Sequence, residues 1–455
     1  MNNSANDERD LDLVIWGATG FTGSLAVSYL IGDATKFHSF RLRSSLTVPS
    51  SLRWAIAGRN RTKLESTLTN FVPTNEYGAS INKPELIVCQ ADDKTAIDAF
   101  VKRTKVVVGF AGPFVKYSDR VVQSCVESGT HWVDISGEVA WHRSLIDRFY
   151  HQAKRSGACI VSHCGYDSIP SDLGTFLVVE ELRDTKKLPV EKVVNYQQGI
   201  SGMSGGTLAT GLIQQETGSS AGIDPNHPFL LGGAPSSLVS AGRLQEEDGK
   251  FSKSCFDESV NSWIGPFAMA EINNRVVRRS NALLGYGSEF RYTEVGVYRT
   301  ENEAKKVSLR TRYPPPPSKI REMIEAGRLP QPGQGPSPKQ RAKSRFQSTV
   351  VATNTVGDTL FGVVKGGECG YEETAKMAVE AGLALLLDSE ACPGLITGGG
   401  FLTPSACMGH ALIRRLQKAG ITFKINGGDA KISGKDAVSQ FYKDANEASK
   451  LKSRL

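Results

Sequence analysis

Leu11-Asp12-Leu13-Val14-Ile15-Trp16-Gly17-Ala18-Thr19-Gly20-Phe21-Thr22-Gly23 is the stretch that decides the fold. Its first six residues are an apolar run of the kind buried as a strand, and three glycines follow at three-residue spacing. Glycine lets the backbone turn sharply and approach a ligand closely. The pattern from about Thr22 to Leu30 predicts a helix opening directly out of the turn. That order places main-chain amides at a helix N-terminus, where they favour phosphate. The spacing is one residue wider than G-x-G-x-x-G, so a turn packed tightly for steric reasons is the competing reading.

The downstream sequence weighs against that competitor. Strand-like runs at 52–57, 85–89, 106–110, 131–135 and 159–162 are separated by helical patterns such as 118–128 and 145–155, with an insertion-like stretch at 32–51. Strands alternating with helices predict an α/β fold with an N-terminal doubly wound parallel (Rossmann) sheet. Beyond Gly165 the rhythm changes to two-residue alternation at 288–298 and again at 347–356, which predicts a second α+β domain with a mainly antiparallel sheet. A long Ala/Leu helix is expected at 371–387, a turn-rich segment at 392–403, a helix at 404–419 and a strand at 421–425. The expected organisation is a disordered polar leader (1–10), a cofactor-binding domain (11–168), a substrate domain (169–370) with a mobile Pro/Gly/Gln/basic loop at 329–344, and a C-terminal helical segment (371–455).

Gly17, Thr19, Gly20, Phe21, Thr22 and Gly23 are therefore cofactor-binding candidates. Selectivity is read at the end of the second strand, where a carboxylate suits the ribose of NAD and a cation the additional phosphate of NADP. Gly58-Arg59-Asn60-Arg61-Thr62-Lys63 stands there. Arg59 can stack on adenine and fork onto phosphate and Arg61 can add charge, so NADP(H) is the expected cofactor; a solvated basic helix start is the alternative. Asp92 ends the third strand, facing the adenine edge, and Ala111, Gly112 and Pro113 end the fourth, facing the nicotinamide half.

Composition narrows the class. At 455 residues the chain exceeds one ordinary core. With 40% hydrophobic and 22% charged residues it is globular in type. A net charge of +7 suits a phosphate-bearing cofactor, an acyl carrier or an anionic membrane surface. No nucleic-acid recognition module accompanies it, so no nucleic-acid partner is expected. The eight cysteines lack a Cys-x-x-Cys pair, which points to free thiols in a reducing compartment and no metal site. No run is long and apolar enough to span a bilayer, and the polar, acidic first ten residues exclude a secretory signal. The ending Ser453-Arg454-Leu455 is a variant of the Ser-Lys-Leu peroxisomal address; read so, it engages an import receptor, and otherwise the protein is cytosolic.

The chain resembles the saccharopine dehydrogenase-like oxidoreductases, and among them the trans-acting enoyl reductase subfamily. The resemblance runs through the glycine turn, Ala57-Gly58-Arg59-Asn60, Gly112-Pro113-Phe114 with Tyr117, and 131–138 (His-Trp-Val-Asp-Ile-Ser-Gly-Glu). It continues in 164–174 (Cys-Gly-Tyr-Asp-Ser-Ile-Pro-Ser-Asp-Leu-Gly), Ser204-Gly205-Gly206-Thr207 and Gly400-Phe401-Leu402-Thr403-Pro404. It implies C-terminal helices returning to the first domain. It also implies reduction of a carbon–carbon double bond on a lipid, glycolipid or polyketide-type intermediate, free or carrier-bound; eukaryotic relatives are associated with lipid droplets. Imine or opine reduction, and cofactor binding without turnover at a lipid surface, stay open beside it.

For enoyl reduction the substrate oxygen needs a hydrogen-bond donor and the α-carbon a proton source. Tyr117, Asp134 and Asp167 are the catalytic candidates, against the plainer roles of packing, capping and turn formation. Glu138, Ser168, Ser204 and Thr207 are the substrate-contact candidates, with turn hydrogen bonding as their alternative. His163 reads more simply as a core histidine. The turns at 112–114, 134–138 and 165–172 are expected to face one cleft, because each follows the carboxyl end of a parallel strand.

Overall fold

The computed structural model describes residues 9–32, 48–69, 82–199, 204–217, 223–244, 251–331, 333–426, 435–439 and 441. Its strands are β1 (Leu11–Trp16), β2 (Trp54–Gly58), β3 (Glu85–Val88), β4 (Thr104–Gly109), β5 (His131–Asp134), β6 (Cys159–Val161), β7 (Val190–Gly199), β8 (Cys255–Asp257), β9 (Ser262–Gly265), β10 (Arg291–Tyr298), β11 (Phe346–Asn354), β12 (Thr359–Gly366), β13 (Gly400–Leu402) and β14 (Thr422–Asn426). They form two seven-stranded sheets.

The first sheet is parallel throughout, in the order β13-β6-β5-β4-β1-β2-β3. Successive residues of β1 serve opposite cores, as a two-residue repeat requires. Leu13 and Ile15 pack with Leu25, Tyr29 and Leu383, while Val14 and Trp16 pack with Phe100, Val121 and Leu145. The helix Glu372–Leu387 lies against β4 and β5 and alongside the helix Phe21–Ile31. Gly382 permits its close approach, since a Cβ there would stand 2.7 Å from Val108 Cγ2. The chain order reverses between β1 and β4, which opens a crevice at their carboxyl ends.

The second sheet runs β14-β12-β11-β7-β10-β9-β8 and is antiparallel except for β7 against β10. The helix Ile169–Lys186 packs on β11 and β12. It leaves β6 in the first sheet and crosses to the second, so the turn at its start faces both.

Two short pieces differ from the sequence-based expectation. Within the segment read as turn-rich, Gly400–Leu402 pairs in parallel with β6. Three residues are too few for periodicity to register, and the ladder offered by β6 decides the conformation. The expected loop 329–344 holds a short helix, Pro338–Arg341, with a Ser337/Gln340 capping box. Buried Arg341 donates to Glu372 at 2.8 Å and to the Pro336 carbonyl at 2.8 Å.

Of the expected leader, Arg9 is tied to the first sheet through the Thr104 carbonyl at 2.7 Å and Asp10 pairs with Arg103. Residues 1–8, most of the 32–51 insertion, Gly202 and Met203 of the second glycine turn, and Ser453-Arg454-Leu455 lie outside the described residues. Among the described residues no helix is long and apolar enough to cross a membrane.

Candidate active site

Sterics make the first turn a glycine turn. Gly17 has φ +80°, and a Cβ on it would stand 2.6 Å from the Ala111 nitrogen. On Gly23 a Cβ would stand 2.3 Å from the Gly17 oxygen. The amides of Gly17 and Ala18 donate to the Ala57 carbonyl, which ties the turn to the end of β2. Thr19 lies against Gly58, Gly20 is the N-cap of the helix Phe21–Ile31, and Thr22 stands in that helix's first turn. The first amides of such a helix have no partner within it.

At the end of β2, Arg59 is exposed and has no carboxylate partner among the described residues, unlike Arg61, which faces Glu65 at 4.0 Å. The Arg59 guanidinium lies over the Tyr117 ring, 5.4 Å from its centroid, and Lys116 Nζ lies 5.3 Å from the same ring. Tyr117, a candidate proton donor on sequence grounds, is thus gathered with the β2 cation. Trp16 Nε1 holds the Tyr117 carbonyl at 3.1 Å. Asn60 caps the next helix by accepting from the Lys63 amide. Asp92 sits in the turn after β3, exposed, next to Asp93, which caps the helix Lys94–Lys102.

The three strand-end turns do meet. Buried Glu138 accepts from the Phe114 and Val115 amides at 2.7 and 3.0 Å, so each of its oxygens holds the helical turn that follows Gly112-Pro113. Asp134 is fully buried and accepts from Trp132 Nε1, the Ser136 amide and Ser162 Oγ at 2.6, 2.8 and 2.9 Å. Burial pushes its pKa up to about 6 against those donors. Ser168 donates to Asn273 Oδ1 at 2.9 Å. Asp167 differs from these neighbours: it is half-buried, and no hydrogen bond engages its carboxylate among the described residues. Its Oδ2 lies 3.5 Å from where a Cβ on Gly137 would stand, and burial alone pushes its pKa up to about 6. Of the three catalytic candidates, Asp167 alone has a carboxylate free to exchange a proton with a ligand.

A histidine pair stiffens the second turn. His163, at φ +65°, contacts the Ser136 carbonyl through Nδ1 at 2.5 Å and His142 Nδ1 through Nε2 at 2.9 Å. Burial pushes His163 down to about 4, so the pair is neutral near pH 7.

From the second sheet's side, the helix Gly205–Thr217 brings Thr210 Oγ1 to 3.5 Å from a Cβ placed on Gly112. Ser204 is buried and accepts from the Thr207 amide, and Thr207 Oγ1 lies 3.3 Å from the Tyr371 hydroxyl. Tyr371 meets Phe21 edge-on at 5.1 Å. Gly335 also packs on Phe21, where a Cβ would stand 2.4 Å from the ring, and the Gln334 carbonyl accepts from the Gly205 amide. A pocket beside Phe21 is lined by Gly327, Arg328, Leu329, Pro330 and Gln334. Beneath the Asp167 turn, Glu294 accepts from Ser171, Gln197 and Asn273 at 2.9, 2.6 and 3.1 Å; burial pushes it up to about 7.

Tyr371, Thr210, Asn273, Glu294 and His142 were not singled out from sequence. Each enters through a contact spanning many residues, and none sits in a motif of its own.

A parallel sheet in this order, with a glycine-only turn at its first crossover, defines the Rossmann-type α/β class, and the protein is an oxidoreductase of that class. Over 438 residues it is 31% identical to the trans-acting enoyl reductase of Mycobacterium tuberculosis, covering 91% of this chain and 97% of the relative. A trans-acting enoyl reductase of Mycobacterium ulcerans is 29% identical over 436 residues with the same coverage. The chain belongs to the trans-acting enoyl reductase family. No family model matches it. Among solved structures, saccharopine dehydrogenase (L-Glu forming) from Saccharomyces cerevisiae aligns over 92% of this chain and 100% of its own, at 12% identity and TM-score 0.46. Homospermidine synthase from Legionella pneumophila, solved in complex with NAD, aligns over 93% and 94% at 11% identity and TM-score 0.45.

Proposed function

We propose that the protein is an NADPH-dependent enoyl reductase acting on a lipid- or polyketide-type acyl substrate, free or carrier-bound. The observation that carries the cofactor reading is Arg59, a cation held over Tyr117 at the end of β2 with no carboxylate beside it among the described residues. The glycine turn supports it, since the space a Cβ would fill at Gly17 and Gly23 is taken by backbone. Gly17, Thr19, Gly20, Phe21, Thr22 and Gly23 would hold the pyrophosphate, Arg59 and Arg61 the ribose phosphate, Asp92 the adenine edge, and Ala111, Gly112 and Pro113 the nicotinamide end. Bound there, the cofactor supplies the hydride. The residues of the chain supply the rest: Glu138 and Asp134 keep the turns in place, and Asp167 gives the proton required at the substrate α-carbon. Ser204 and Thr207 would orient the acyl group, and Ser168, buried and donating to Asn273 Oδ1, would support the Asp167 turn.

Ile272 packs against Gly137 beside Asp167, an apolar neighbour that suits an acyl chain better than the carboxylates of an opine adduct. Mixing the purified protein and NADPH with a panel of enoyl thioesters and imino acids tests the reading. Oxidation of NADPH with an enoyl thioester is the expected result. Oxidation only with imino acids would establish the opine alternative, and tight binding without turnover on either class would establish a cofactor-binding scaffold.

A further inference from the structure

The chain's positive charge is concentrated in one segment. Residues 299–345 hold twelve Lys and Arg against four Asp and Glu, a net of +8, whereas the rest of the chain holds 42 against 43, a net of −1. That segment leaves the second sheet after β10 and returns as β11, and between them it forms three helices, Glu301–Arg312, Pro317–Glu325 and the short Pro338–Arg341. In Glu301–Arg312, which rests on β9 and β10, Ala304 alone is buried; in Pro317–Glu325, no residue is. Pro317–Glu325 half-buries Ile320, Met323 and Ile324 beside the helix Gly205–Thr217, and both of these longer helices leave an exposed face that is available to a partner.

Those faces are not simply charged. Leu309 is 59% exposed and Tyr313 66% exposed, one helical turn apart, with Arg310 and Arg312 between them and Lys306 on the preceding turn. The Arg312 guanidinium lies over the Tyr313 ring, 5.5 Å from its centroid. The run Pro314 to Pro317 follows at once and stiffens the link to the second helix. An exposed leucine and an amphipathic tyrosine set among cations match the headgroup layer of an anionic bilayer, where the ring and the aliphatic chain meet acyl carbon and the cations meet phosphate. An acidic protein would be drawn by the same charge, and the last outcome of the test below separates it from a bilayer.

The base of the segment reaches the candidate active site. Gly335 lies on Phe21, the Gln334 carbonyl accepts from the Gly205 amide, and Arg341 pairs with Glu372. A surface bound at Leu309 and Tyr313 is therefore joined by continuous structure to the pocket beside Phe21.

We propose that residues 299–345 form a docking surface for an anionic lipid bilayer, with Leu309 and Tyr313 entering the headgroup layer and the surrounding Lys and Arg bound to lipid phosphate. Co-sedimentation of the full chain with vesicles of phosphatidylcholine, with or without about one third phosphatidylserine, tests this. The expected result is binding to the anionic vesicles only, weakened by raising salt. The double variant Arg310→Glu/Arg312→Glu is expected to lose at least about tenfold in affinity, each cation being worth about fivefold near an anionic surface. Leu309→Ser/Tyr313→Ser is expected to weaken the binding that remains at high salt. Both variants change exposed side chains, and unaltered thermal melting would show that they stay folded. Equal binding to both vesicle types, or anionic binding untouched by the charge reversal, would overturn the proposal. So would a chain that ignores vesicles but binds an acidic acyl carrier protein through the same arginines.

Discussion

Replacing Tyr117 separates two roles that the residue type alone permits. If Tyr117 positions Arg59, its ring matters and its hydroxyl does not; if it is a proton donor, the reverse holds. The guanidinium lies 5.4 Å from the ring centroid at an exposed site, a geometry worth about 0.5–1 kcal/mol. Tyr117→Leu is therefore expected to weaken binding of 2′,5′-ADP about two- to fivefold and to leave 5′-AMP unaffected. Tyr117→Phe is expected to change neither binding nor kcat. Arg59→Ala sets the scale: charge-assisted hydrogen bonds to phosphate contribute about 1.5–3 kcal/mol, so 2′,5′-ADP is expected to bind about 10- to 150-fold more weakly. Calorimetric titration of both nucleotides reads these effects without turnover. A fall in kcat of a hundredfold or more in Tyr117→Phe, with nucleotide binding intact, would refute the positioning role and make the hydroxyl the proton donor.

Three other perturbations probe the rest of the site. Asp167 must be protonated to act as an acid, and burial pushes its pKa up to about 6, so kcat is expected to hold level below that pH and fall above it. Asp167→Asn is expected to lose about 10²–10⁴ in kcat and to flatten the profile, and a variant that kept the profile would exclude Asp167 as the acid. Glu294, pushed up to about 7 by burial, binds its proton more tightly folded than unfolded, so its contribution is fully present below about pH 4.5 and is lost as pH rises through about 7. Urea denaturation of Glu294→Gln beside the parent protein is expected to show the difference moving in the variant's favour between pH 5 and pH 8; a constant difference contradicts this. A Cβ at Gly23 would meet the Gly17 carbonyl at 2.3 Å, so Gly23→Ala is expected to cost about 1–3 kcal/mol and abolish nucleotide binding, which melting with and without 5′-AMP checks.

The first sheet was legible because its signals are local. An apolar run, three glycines and a helix pattern lie within twenty residues, and each later strand repeats the alternation. β13 was not legible, since its three residues acquire a conformation from β6. Asp134, Glu138 and Asp167 were equally visible as carboxylates in turns. Their burial and partners separate them: two of the three are saturated by amides, hydroxyls or an indole, and one is not.

By itself the sequence determined that a glycine turn follows the first strand and that a cation stands at the end of the second. These are properties of residue type and spacing, which the chain carries whatever its fold. The tertiary structure alone decided that Tyr117 lies under Arg59, that Asp167 remains without a partner among the described residues, and that Gly335 and Tyr371 both pack on Phe21. Those outcomes rest on contacts between residues far apart in the chain, and they follow from how two sheets and the crossover between them pack.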